Sequence, residues 1–166
     1  DVPETPCFLP ELVSATMAPV ETATGIRITP HRTLSDGPPG QIVLVPTLFI
    51  ASGREFGRTN RDMVDWVRSA HENGSQIFST CTGSFLLGHA GLLEGRRATT
   101  HWQFAPKMVS LFPKVCVDPD PIWIRDGKIY SSAGVTSGID LCLALVEEDH
   151  GRKIALAVAR ILVVFL

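Results

Sequence analysis

Cys81 is the residue in this chain best placed to do chemistry. It stands between the apolar run Ser75–Thr80 and the apolar segment that follows Ser84. The residues after it, Thr82, Gly83 and Ser84, are all small. That order describes a nucleophile elbow: a side chain on a tight strand-to-helix turn, with the following backbone N–H groups aimed toward it. A helix N-terminus favours negative charge, so a cysteine there is expected to be rich in thiolate. Thr82, Gly83 and Ser84 would supply N–H groups to an oxyanion or carboxylate, or would simply cap the helix. Gly83 is expected to let strand and helix approach closely.

Two further places bear on Cys81. His101 ends a short extended piece and is expected either to face the thiol or ligand, or to be a histidine satisfied by backbone. Ala133-Gly134-Val135-Thr136 sits at a second strand-to-helix junction and would close a pocket from the other side. Ligand contacts are therefore expected at Cys81, Thr82, Gly83, His101, Gly134 and Val135. No catalytic residue is assigned beyond Cys81, should the protein be an enzyme. Trp102 is expected in the core. His89 lies about two helical turns from Cys81, too far for contact. His31, His71 and His150 read as surface, and Asp118, Asp120 and Asp126 as turn residues.

The elements that must position these residues follow from the apolar pattern. Cys7–Ala15 is a first strand candidate, and Val20–Thr24 with Ile26–Pro30 reads as a hairpin across Gly25. Gln41–Pro46 is a continuous apolar run of the kind buried on both faces of a parallel sheet. Thr47–Gly57 is a loop. Thr59–Asn73 is a helix by the spacing of Met63, Trp66, Val67 and Ala70, capped by Thr59 or Asn60 and ended at Asn73-Gly74. Trp102–Phe112 is another helix. Lys114–Val117, Pro121–Arg125 and Lys128–Ser132 are strands, the last two joined by a hairpin turn at Asp126-Gly127 with positive φ at both positions. A helix follows at Thr136–His150. Strands alternating with helices argue for an α/β fold with a mainly parallel sheet. Ligands bind beyond the carboxyl ends of such strands, so Thr47–Gly57, Cys81–Ser84 and Ala133–Thr136 are expected to converge on one pocket.

Composition narrows the partners. The chain has 166 residues and a net charge of −2. Its charges are dispersed, with no basic stripe for nucleic acid. Arg96-Arg97 reads as two exposed arginines on a turn. The four cysteines have no metal-ligand spacing, and Cys7, Cys116 and Cys142 are expected to be inert core thiols. No metal and no cofactor are expected. No signal peptide is visible, which fits a cytoplasmic setting. The apolar run Ile154–Leu166 is too short for a bilayer, which needs roughly 20 residues. It is expected to lead into a further domain or to pack on a partner.

The blocks STCTGSFLLGHAGLLEGRRATTHW and DGKIYSSAGVTSGIDLCLALVEEDHG resemble the amino-terminal domain of a group of AraC-type transcription regulators. Those domains belong to the PfpI-like, class I glutamine-amidotransferase-like superfamily, and isonitrile hydratase is an enzyme of the same pattern. The resemblance covers Leu12 to about Leu166. It implies a flavodoxin-like three-layer α/β sandwich, with residues 1–150 as the PfpI-like domain and 151–166 as the start of a connector. It implies effector binding or dimerisation in this domain, a homodimer, and DNA contact only through an absent carboxy-terminal helix-turn-helix pair. The alternatives are a cysteine-dependent hydratase or amidase, and a structural dimerisation module. Two departures stand out. Hydrolytic members carry a histidine after the elbow cysteine, where this chain has Thr82. The superfamily fold also begins with a strand-helix unit that supplies an acid near the cysteine, and that unit is expected to be missing here.

Overall fold

The computed structural model of the chain describes residues 8–37, 39–50 and 54–164. Four strands form the central sheet: β1 (Ile42–Val45), β2 (Gln76–Thr80), β3 (Trp123–Asp126) and β4 (Ile129–Ser132). Their spatial order is β1-β2-β4-β3. β1, β2 and β4 run parallel, and β3 returns antiparallel to β4. The mainly parallel α/β sheet expected from the sequence is therefore present.

Side chains alternate across this sheet, so each face has its own core. Val43, Val45, Ile77 and Ile129 face one way and pack with Val64, Val67, Phe85, Leu86 and Leu87. These come from the helices α2 (Arg61–Glu72) and α3 (Ser84–His89). Phe78 and Tyr130 face the other way. Their rings stack at 4.1 Å between centroids beneath Leu141 of α5 (Ser137–His150). A further helix, α6 (Arg152–Leu162), lies against α5, with Ala155 and Ala159 buried. Helices thus cover both faces, giving three layers. β1 is an edge of the sheet among the described residues, and Leu44 is 46% exposed there.

Helix α2 buries Val64, Val67 and Ala70, with Met63 and Trp66 packed beside them, as the spacing requires. Its start differs from expectation. Thr59 ends a separate helix, α1 (Arg54–Thr59), and the Asn60 side chain donates to the Phe56 carbonyl at 2.9 Å instead of capping α2. The segment expected as loop through Gly57 is therefore helical from Arg54 onward. The helix α4 (Ala105–Leu111) follows a 3-10 turn at Trp102–Phe104. The hairpin near the amino terminus forms between Val20–Glu21 and Arg27–Ile28. Of the first strand candidate, Val13–Ser14 pairs, with Arg32–Thr33; Cys7 lies outside the described residues.

The β3–β4 turn is shifted by one residue from Asp126-Gly127. Asp126 pairs with Ile129, so Gly127 and Lys128 form the loop, and only Gly127 has positive φ, +64°. The Asp126 carboxylate keeps that residue in the strand, because it accepts both the Arg97 N–H and the Arg96 guanidinium, each at 3.0 Å. Cys116 is exposed and Cys142 half-buried, so neither is a sequestered core thiol. Trp102 is 67% exposed rather than in the core.

Candidate functional site at the elbow cysteine

The elbow forms as the sequence demands. Thr80 is extended, and at Cys81 the chain turns into a 3-10 turn, Cys81–Gly83, that runs into α3. Cys81 has φ +53°, in the left-handed region that side chains seldom occupy. Its carbonyl is held from two sides. The Ser84 and Thr100 hydroxyls each donate to it at 3.0 Å. Thr100 is itself fixed from below, since the neighbouring Thr99 N–H donates to the Ser131 hydroxyl at 2.9 Å. Both threonines are fully buried. The strained turn is over-determined by its surroundings, as stored backbone strain requires.

Gly83 explains why the turn is built of small residues. A β-carbon there would lie 2.5 Å from the Val45 carbonyl oxygen and 2.6 Å from that of Pro46. No side chain fits between the elbow and the end of β1.

Thr82 has a different role from the backbone donor expected of it. Its hydroxyl donates to the Leu48 carbonyl at 2.6 Å and accepts the Leu48 N–H at 3.1 Å. One side chain thus fastens the loop after β1 over the elbow.

Beneath that loop lies a cavity of about 380 Å³, lined by Thr47–Ile50, Cys81, Thr82, Phe104 and Lys107. Its size falls in the range of small-molecule sites. Cys81 is 5% exposed, and the cavity wall is where it meets open space. Lys107 donates to the Ile50 carbonyl at 2.9 Å.

Two of the three expected loops therefore meet here, and the third does not. His101 caps the 3-10 turn through Nδ1, which accepts the Gln103 N–H at 3.3 Å, and its ring stacks on Trp102. It approaches Gly134: a β-carbon on Gly134 would lie 4.0 Å from His101 Cδ2. Neither residue lines the cavity, and Val135 is 76% exposed. Ser137 explains part of this. Its hydroxyl accepts the Gly134 N–H at 2.6 Å and donates to the Gly134 carbonyl at 2.9 Å, tying that loop to the start of α5. Thr136, at the N-cap of α5, makes no side-chain cap bond.

Phe104 and Lys107 take the place assigned to residues 133–136. The sequence carried a signal for them: Phe104, Lys107, Met108 and Leu111 share one helical stripe, and a cation on an apolar stripe is unusual. His89 packs between the rings of Phe56 and Phe112, away from the cavity. His71, expected at the surface, is half-buried, and its Nδ1 has no hydrogen-bond partner among the described residues. Arg96 and Arg97 pair with Asp126 and Asp118, so they brace the segment that carries Thr99 and Thr100. Among the described residues, no cluster of three or more His, Cys, Asp or Glu side chains is arranged to hold a metal ion. No described helix is long and apolar enough to cross a membrane.

The fold is a three-layer α/β sandwich with a cysteine at a strained strand-to-helix elbow. The DJ-1/PfpI family model matches residues 8–148, and the chain belongs to that family. It is 36% identical over 144 residues to isonitrile hydratase of Pseudomonas putida, covering 84% of this chain and 59% of that protein. It is 34% identical over 149 residues to the HTH-type transcriptional regulator CdhR of Pseudomonas aeruginosa, covering 89% of this chain and 43% of that protein. The chain thus spans about half the length of these relatives. Among solved structures, an AraC family transcriptional regulator from Pseudomonas putida superposes with a TM-score of 0.79 at 18% identity. That match covers 96% of this chain and 83% of the other, and supports the shared fold.

Proposed function

We propose that this chain is the ligand-sensing and dimerisation domain of an AraC-type transcription regulator, without catalytic activity. DNA contact would belong to a separate helix-turn-helix domain, and α6 would begin the connector to it. One observation carries the reading. The position after the elbow cysteine, where hydrolytic relatives would need a base, holds Thr82, and both hydrogen-bonding capacities of its hydroxyl are used on Leu48. A thiol without a neighbouring base is poorly activated for attack, yet it still lines a cavity of ligand size. The similarity to HTH-type regulators supports the same reading.

A second reading is kept by the 36% identity to isonitrile hydratase. In that case Cys81 would act on a small substrate in the same cavity. Turnover assays of the full chain with isonitriles and amides separate the two. The sensing reading expects no Cys81-dependent turnover and, in a protein that joins this domain to a helix-turn-helix domain, DNA binding that changes when the cavity is filled. Turnover abolished by Cys81→Ala would replace it with the enzymatic one.

A further inference from the structure

We infer that the cavity at Cys81 selects small monoanions with an apolar body, monocarboxylates above all, and that Lys107 is the residue that selects them. The inference rests on reading that cavity as the ligand site and adds the chemistry of its occupant.

The lining divides sharply by chemistry. Leu48, Phe49, Ile50 and Phe104 present hydrocarbon, and Lys107 presents the cavity's one charge among the described lining residues. The Lys107 ammonium spends one of its three N–H groups on the Ile50 carbonyl. No described carboxylate pairs with it. The described lining residues include no aspartate or glutamate.

A cation set partly among apolar walls attracts an anion somewhat more strongly than one in open water, even though Phe49 leaves the pocket open to solvent. A single cation matches a single negative charge. Among the described lining residues no acidic side chain is present to pair with a ligand ammonium, which disfavours cations and amino-acid-like zwitterions. Thr47 and Cys81 add a hydroxyl and a thiol to the same wall.

Lys107 could instead serve only to tether the loop at Ile50, and the test must separate that role from charge selection. Isovalerate and isovaleramide, and benzoate and benzamide, are matched in shape and differ in charge. Titration calorimetry on the full chain is expected to give acids that bind tighter than their amides by on the order of tenfold to a hundredfold, the range of a hydrogen bond to a charged group. Lys107→Met is expected to erase that preference, and Lys107→Arg to retain it. A tether role predicts that Lys107→Met weakens acid and amide alike. Equal binding of acid and amide by the unaltered chain overturns the inference, as does a preference that survives Lys107→Met, or failure of both acids to bind. The unaltered chain alone decides the first and last of these, whether or not the variants fold. Should acids bind in a Lys107-dependent way and yet leave DNA binding unchanged in a protein that joins this domain to a helix-turn-helix domain, the sensing reading fails and the ligand class stands.

Discussion

Thr82 and Leu48 are joined twice through one hydroxyl, which donates to the Leu48 carbonyl at 2.6 Å and accepts its N–H at 3.1 Å. The pairing spans 34 residues of sequence and holds the roof of the cavity to its floor. Thr82→Val keeps the shape and removes both bonds, leaving two backbone groups of Leu48 to find other partners. It is expected to lower stability by about 1–3 kcal/mol. Thr82→Ser retains the hydroxyl and should cost less than Val. Urea unfolding of the three proteins checks the order; equal loss for Ser and Val would remove the hydroxyl from the explanation.

Gly83 sits where the elbow meets the end of β1, and the neighbours a side chain would strike there are backbone carbonyls. Backbone in a sheet cannot swing aside as a side chain tip can. Gly83→Ala is therefore expected to cost about 3 kcal/mol, at the upper end for overpacking. Gly134→Ala is the control. Its β-carbon would meet only ordinary contacts, at 3.9 and 4.0 Å. A loss of about 1 kcal/mol or less is expected there. Similar midpoints for the two variants in thermal melts would mean that β1 yields at Pro46.

Cys81 inverts the usual ranking of alanine and glycine. In most positions glycine is the less stable of the two, because it loses more freedom on folding. At φ +53° any β-carbon carries a steric cost of roughly 1–2 kcal/mol that glycine avoids. Both substitutions delete the thiol, so the difference between them sets the backbone cost against one buried methyl group. Cys81→Gly is expected to be more stable than Cys81→Ala by about 1 kcal/mol in chemical denaturation. Alanine as the more stable variant would show that the turn relaxes out of the left-handed region once the sulfur is gone.

The elbow was legible in the sequence because its constraint is local. A run of small residues between two apolar segments leaves few alternatives to a tight strand-to-helix turn. The parallel sheet was legible for a similar reason, since QIVLVP and QIFST read as strands by themselves. What failed was contact between distant segments. Nothing near Thr47 in sequence shows that Lys107 reaches the Ile50 carbonyl, 57 residues away along the chain. Cys116 failed differently. Cys116 is exposed and Val117 half-buried in the two-residue strand Cys116–Val117, so an apolar-looking run hid an outward position. The pattern of β1 and its surroundings also disagree: four apolar residues are typed for two covered faces, yet Leu44 is open.

Asp126 ties the elbow to pH. Its carboxyl is held below the usual carboxylate range, first by the Arg97 N–H and then by the Arg96 guanidinium. A group whose folded pKa is depressed adds stability above its unfolded pKa, about 4 for aspartate. That stability is lost as pH falls through the lower, folded value. Asp126→Asn removes the charge at every pH. The stability gap between the native chain and this variant is therefore expected to be level above about pH 5 and to close progressively in more acid solution. The same two bonds anchor the segment that carries Thr99 and Thr100, and Thr100 holds the Cys81 carbonyl. Acid should thus loosen the elbow before it unfolds the α2 face of the sheet, seen as earlier loss of amide protection at residues 97–100 than at 64–70 in hydrogen exchange across a pH series. A gap independent of pH would show that Arg96 and Arg97 contribute no more to ionised than to neutral Asp126.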